Sequence, residues 1–296
     1  MKKRILLAGL LAAIASSLTA GATDSVCKYI YGKTWGSFGT ADGQFRTAMC
    51  IAIDSADNIY VADQGNNRIQ KFGKDGDFRR AWGSTGKKDG QFDRPCGIAV
   101  GVDSVFVADQ ENKRIQKFSR DGQFLRKWNL ETYGKPYFVV VDDANNVFVS
   151  CSIGKNGAEI LKFNGEGKYI RRWGGPGKKD DQFASYVLSI AVGKENNIFA
   201  ADAGGGFIKK FSNSGTFIRK WEAKRLALTT DSDGHLFSYE EGAIYISSPT
   251  GDAITSFMTL NPTSGLVYSI AVSKNREAVY FLDCIAQQVY KYVCQH

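Results

Sequence analysis

The chain has 296 residues, 43% of them hydrophobic and 23% charged, with a net charge of +8. That balance excludes a disordered or collagen-like chain and supplies enough apolar mass for a full core. With His235 and His296 as the only histidines, chemistry that needs several imidazoles lacks its material.

The first segment stands apart. Lys2, Lys3 and Arg4 precede an apolar run from Ile5 to Leu18, which ends near the small residues Ala20, Gly21 and Ala22. The pattern predicts a secretory signal peptide over residues 1–22, too short for a membrane anchor. No later stretch is apolar enough to span a bilayer. Residues 23–296 are therefore expected to be exported, to the periplasm, the cell surface or the medium. Losing Lys2, Lys3 and Arg4 lowers the charge to +5. All six Cys (27, 50, 96, 151, 284, 294) follow this segment, and an even count in an exported chain predicts disulfides.

From residue 35 the chain repeats. Trp35, Trp82, Trp128, Trp173 and Trp221 recur at intervals of 47, 46, 45 and 48. Four short runs fill each interval. The first is almost wholly apolar, as in Ile51–Ile53, Ile98–Val100, Val139–Val141, Ile190–Val192, Ala227–Thr230 and Ile270–Val272. The second alternates and ends in a small or acidic residue, as in Ile59–Asp63, Val105–Asp109, Val147–Cys151, Ile198–Asp202, Leu236–Tyr239 and Val279–Asp283. The third ends at Phe72, Phe118, Phe163, Phe211 or Tyr292, and the fourth ends at the Trp. Each run has strand length, β-branched or aromatic enrichment, and Gly, Asn or Asp at its ends. Four strands per unit of about 45 residues is the sequence signature of propeller blades. The fourth run carries Arg79-Arg80, Arg126-Lys127, Arg171-Arg172 or Arg219-Lys220, which read first as charges protecting an outer edge.

The phrase running from Gly43-Gln44-Phe45 through Ile51-Ala52-Ile53-Asp54, Asn58 to Asp63 and Arg68 to Phe72 to Trp82-Gly83 resembles the NHL repeat. The match is close over residues 34–128, good at 173–221 and degraded in the third, fifth and sixth units. The resemblance implies an all-β, six-bladed β-propeller with four antiparallel strands per blade, in agreement with the six copies counted. The last unit has only three runs before the chain stops. Tyr29–Trp35 reads as a fourth strand without its preceding three, so the N-terminal strand is expected to complete the last blade. Cys27 and Cys294 then fall at the missing turn, and a Cys27–Cys294 disulfide would replace it. Cys50 and Cys96 start inner strands, while Cys151 and Cys284 end second strands. Of their three pairings, only Cys50–Cys284 with Cys96–Cys151 joins neighbouring blades in both bridges, provided the Cα atoms come within about 7 Å.

Catalytic chemistry is sparse. Some lyases resembling this family hold zinc with three His, which this chain cannot supply. Asp63, Asp109, Asp202 and Asp283 recur at second-strand ends. One reading is a carboxylate cluster for calcium, as in a metal-dependent lactonase or lyase. The stronger reading is structural: each accepts turn N–H groups, and Arg68 and Arg114 stand five residues beyond Asp63 and Asp109. Lys87, Lys88, Lys178 and Lys179 lie in inter-blade loops with Arg94, Lys135, Lys224 and Arg225, near Tyr137 and Tyr186. Solvated loops are one reading; a basic recognition face is the other. Some intracellular members of the family bind RNA on such a face, but export argues against a nucleic-acid partner. The expectation is a non-enzymatic binding protein or scaffold for a protein or anionic glycan ligand, without a cofactor. A metal-dependent lactonase or lyase, and a structural subunit of a larger surface assembly, remain as alternatives.

Overall fold

The structure is a computed structural model that describes residues 27–154, 157–223, 227–259 and 267–295. The expected signal peptide and the loop residues Lys224 and Arg225 lie outside this set. Six four-stranded antiparallel sheets are present, one per repeat. Blade 1 comprises Ala48–Ile53, Ile59–Asp63, Arg68–Phe72 and Phe78–Trp82; blade 2 Pro95–Val100, Ser104–Asp109, Arg114–Ser119 and Phe124–Asn129. Blade 3 comprises Lys135–Val141, Val147–Ile153, Gly157–Phe163 and Tyr169–Gly174; blade 4 Val187–Val192, Ile198–Asp202, Phe207–Phe211 and Phe217–Glu222. The weakly patterned fifth unit is also complete, as Ala227–Thr230, Leu236–Glu240, Ala243–Ser247 and Ala253–Met258. Blade 6 takes Val267–Val272, Ala278–Asp283 and Gln288–Gln295 from the C-terminal end and Lys28–Trp35 from the N-terminal end. Tyr29 lies opposite Cys294 and Trp35 opposite Val289. A Cys27–Cys294 disulfide, with Cα atoms 5.5 Å apart, closes this seam.

The burial pattern follows from the layering. Second strands are covered on both faces, and every residue of Ile59–Asp63, Ser104–Asp109, Ile198–Asp202 and Ala278–Asp283 is buried. The outer strands Phe78–Trp82 and Phe124–Asn129 are largely exposed. Their basic pairs meet acids: Arg79 with Asp77 at 2.6 Å, Lys127 with Asp89 at 2.5 Å, Lys220 with Asp180 at 2.6 Å.

The recurring Trp has a packing reason. Each ring sits between the second strand of its own blade and the third strand of the next. Trp82 meets Tyr60 at 6.3 Å and Phe118 of blade 2 at 6.1 Å. Trp35 meets Tyr280 and Phe72, Trp128 meets Phe106 and Phe163, and Trp173 meets Phe148 and Phe211. Phe257 takes the place in blade 5 and packs on Tyr292 of blade 6.

A lysine on the third strand ties each blade to the next across most seams. Lys71 Nζ lies 3.1 Å from the Arg120 carbonyl, Lys117 2.8 Å from Glu166, Lys210 3.1 Å from the Pro249 carbonyl, and Lys291 2.7 Å from Asp75. Lys162 reaches Asn213 in the same way. The same ammonium groups stand over second-strand rings, Lys71 over Tyr60 at 5.2 Å for example. At the corresponding register of blade 5 stands Ile246, opposite Phe237. That seam is tied instead by Arg276, which is 2.8 Å from Asp231 and also meets Asp233, and by Ser232 donating to the Lys274 carbonyl.

Candidate functional site at the loop-face mouth

One face of the ring carries the inter-blade loops and the second-to-third-strand turns, and the inner strands begin there. In five blades the pairing of inner with second strand slips by one residue at this end, between Ala48 and Cys50, Pro95 and Ile98, Pro136 and Val139, Val187 and Ile190, and Val267 and Ser269. A bulge re-aims the residue it carries. Here the slipped positions are held by Met49, Cys96, Tyr137, Leu188 and Tyr268, at the starts of the inner strands on this face. All but Cys96 are partly exposed. Tyr137 and Tyr186, from neighbouring blades, have ring centroids 6.2 Å apart. Of these residues only Tyr137 and Tyr186 were marked by the sequence; Met49, Leu188 and Tyr268 were missed. The available signal was the broken alternation just before each apolar inner run.

The recurring aspartates do not converge. Asp63 accepts from the Arg46 amide, Asn66, Arg68 and Gln70 at 2.8–3.0 Å. Asp109 accepts from the Asp93 amide, Asn112, Arg114 and Gln116, and burial is the largest influence on its carboxyl, raising its pKa against those donors. Asp202 accepts from the Ala184 and Gly205 amides and pairs with Lys209 at 2.9 Å. Asp283 accepts from the amides of Ile285 and Ala286. Each thus pins an inter-blade loop or a turn to its own blade. Among the described residues, no three His, Cys, Asp or Glu side chains group so as to hold a metal ion. His235 lies at the opposite face, with Nδ1 3.0 Å from Asp231.

The lysines do not form one patch. Arg114 holds the Lys87 and Lys88 carbonyls at 2.8 and 3.0 Å, and so lays that loop over the third strand of blade 2. Lys209 reaches the Gln182 carbonyl and lays the Lys178–Lys179 loop over blade 4. Blade 3 separates them, and Asp89 and Asp180 in the same loops pair with Lys127 and Lys220. Arg94 is bound to Asn67 and Gln64 of blade 1, and Lys135 pairs with Glu111 at 2.5 Å.

The expected Cys50–Cys284 and Cys96–Cys151 bridges are not formed; all four residues are free thiols. The reason is orientation. Cys96 Sγ points at the inner-strand carbonyls of blade 3, 3.0 Å from Tyr137 and 3.3 Å from Pro136. Cys50 Sγ lies 3.3 Å from the Ser269 hydroxyl. Burial raises all four thiol pKa values, that of Cys284 to about 12, which keeps them protonated and poor nucleophiles.

Six blades with these loop anchors define a β-propeller. The NHL repeat family model matches residues 45–72 of this six-bladed β-propeller. It is 41% identical over 56 residues to "Protein brain tumor" of Drosophila melanogaster, a match covering 19% of this chain and 5% of that protein. It is 42% identical over 52 residues to the B-box type zinc finger protein ncl-1 of Caenorhabditis elegans, covering 18% and 6%. Solved structures extend the fold likeness to most of the chain. A streptogramin B lyase superposes with TM-score 0.61 at 19% identity, covering 84% of this chain and 79% of that one. A gluconolactonase from Xanthomonas campestris superposes with TM-score 0.63 at 11% identity, covering 86% and 88%.

Proposed function

We propose that this is an exported binding propeller, not an enzyme, and that it holds a protein or glycan ligand at the loop-face mouth. The observation that carries the reading is the repeated bulge, which in four of the five slipped blades holds a large, partly exposed side chain, Met49, Tyr137, Leu188 or Tyr268, at the start of the inner strand. Aromatic and thioether groups suit sugar faces and apolar side chains, and aromatic anchors dominate protein interfaces. Arg94, held by the neutral side chains of Asn67 and Gln64, biases the rim towards anionic ligands, whereas Lys135 is neutralised by Glu111. The lyase or lactonase reading rests on the fold likeness to such enzymes, and it would need the four aspartates, which hold loop and turn groups of their own blades and do not converge. A role as a subunit of a surface assembly is the same reading with a permanent partner.

The test is a glycan and protein ligand screen on the secreted chain, followed by variants. Tyr137→Ser with Tyr268→Ser is expected to abolish binding. Charge reversal at Lys87, Lys88, Lys178 and Lys179 is expected to leave it intact. Binding lost by the reversal and kept by the Tyr variants would sink the mouth as the site.

A further inference from the structure

The opposite face, which carries the first-to-second-strand turns, has a cavity of its own. The axial channel has a volume of about 250 Å³ and is walled at this end by one residue per blade: Ile53, Val100, Val141, Val192, Thr230 and Val272. The only hydroxyl in that ring, on Thr230, is used up by the Val192 carbonyl. The channel opens into a bowl of about 410 Å³ that spans blades 3 to 6. Val141, Val192, Thr230, Val272 and Lys274 line both spaces, so the two are continuous.

The bowl is polar where the channel is apolar. Lys194 and Lys274 flank the blade 5 turn, and among the described residues neither ammonium has an acidic partner within salt-bridge distance. The acids of the bowl are differently placed. Asp231 is saturated by His235, Arg276 and the turn amides. Asp143 and Glu195 also line the bowl, exposed and, among the described residues, without an ion-pair partner. The wall is held together across blades, with the Asp143 amide donating to Asn196 Oδ1 at 3.3 Å and Asn213 donating to Asp142 Oδ2 at 2.9 Å.

We propose that this cavity is a binding site for a small monocarboxylate with a compact, branched apolar body. The carboxylate would sit between Lys194 and Lys274, and the body would enter the channel between Val192 and Val272. Both halves are needed. A site with few convergent polar groups over an apolar pocket selects for an amphiphile. The aliphatic ring offers sulfate or phosphate no hydrogen-bond donors, and Asp143 would repel a second negative charge. The site lies at the far end of the axis from the mouth proposed above and does not depend on it.

The probe is 4-methylpentanoate, titrated into the disulfide-bonded chain and followed by methyl NMR at Val192 and Val272. The expected result is saturable shifts at these two methyl pairs in the millimolar range, typical of a fragment-sized ligand. Lys274→Gln or Lys194→Gln is expected to weaken binding about tenfold, the effect of one charge-assisted hydrogen bond. 4-Methylpentanamide and acetate are each expected to bind at least about tenfold more weakly, since one lacks the charge and the other the body. Both lysines are exposed, so their variants should fold; Val272→Asp, which puts a negative charge in the apolar channel wall, supplies a second route to loss. Equal binding of acid and amide, equal binding of acetate, or affinity unchanged in the double lysine variant would each overturn the proposal.

Discussion

Replacing both residues of the closing disulfide, as Cys27→Ser with Cys294→Ser, tests the seam. The bridge spans a separation of 267 residues. The chain-entropy relation for a loop of that length gives about 5–6 kcal/mol of destabilisation of the unfolded state. Part of that is not recovered in practice, because denatured chains stay compact and removal of native disulfides typically costs about 2–5 kcal/mol. The Lys28–Trp35 strand also keeps its own ladder to Gln288–Gln295 and the hydrogen bond from Tyr29 to the Arg276 carbonyl, so the ring should still close. The expected loss is therefore about 3–5 kcal/mol. At roughly 2–4 °C per kcal/mol for a chain of this size, Tm falls by about 6–20 °C. Urea unfolding gives the free energy, and amide exchange gives the location. Exchange should accelerate first in Lys28–Trp35, since that strand is held by a single sheet neighbour. A loss below about 1 kcal/mol, with protection of Lys28–Trp35 unchanged, would refute the closure as the source of stability.

Asp109→Ala leaves Arg114, whose side chain is only 5% exposed, without its charge partner and should cost about 3–5 kcal/mol in urea unfolding; a loss under about 1 kcal/mol would refute the carboxylate as an anchor. Two glycines separate backbone conformation from packing. Gly43 has φ +80° with open space at its Cβ position, so Gly43→Ala should cost about 1–2 kcal/mol. Gly122 has φ +79°, and its added Cβ would stand 2.6 Å from the Trp82 ring, so Gly122→Ala should cost about 1–3 kcal/mol more. Equal losses would refute the Trp seam as a tight contact. The lysine clamps predict a pH dependence. Hydrogen bonds from Lys117 and Lys291 hold the Glu166 and Asp75 carboxyls below their usual values. A carboxyl with a depressed folded value adds stability that is present above its unfolded pKa and is lost as pH falls through the folded one. Glu166→Gln with Asp75→Asn should therefore flatten the loss of stability between about pH 5 and pH 3, read by urea unfolding at each pH. An unchanged slope would count against the clamps.

The sequence made the ring legible because its strongest signals are also its strongest contacts. Trp at near-constant intervals records one seam per blade, and a three-strand last unit beside an orphan first strand leaves one way to close. The missing sixth Trp had weakened the fifth unit as a pattern, yet Phe257 fills the same seam, so the blade forms without the marker. The candidate site was less legible, for reasons of register and radius. Cys50 and Cys96 both begin an inner strand, but Cys50 stands one residue before Ile51 and Cys96 two before Ile98. With side chains alternating along a strand, that difference aims the two sulfurs at different surroundings. Cys151 and Cys284 differ in the same way, since Cys151 occupies the position of Asp283 and Cys284 follows it.

The spread of the lysine loops was hidden for a related reason. Order along the chain assigns Lys87 and Lys178 to the correct face, but it does not say how far from the axis they lie. Arg114 and Lys209, on the third strands of blades 2 and 4, bind the loop carbonyls and lay each loop over its own blade. The one-residue slip in five of six blades leaves Met49, Tyr137 and Tyr268 partly exposed at the starts of their inner strands while they pack on the blade cores, so alternation along the strand could not mark them.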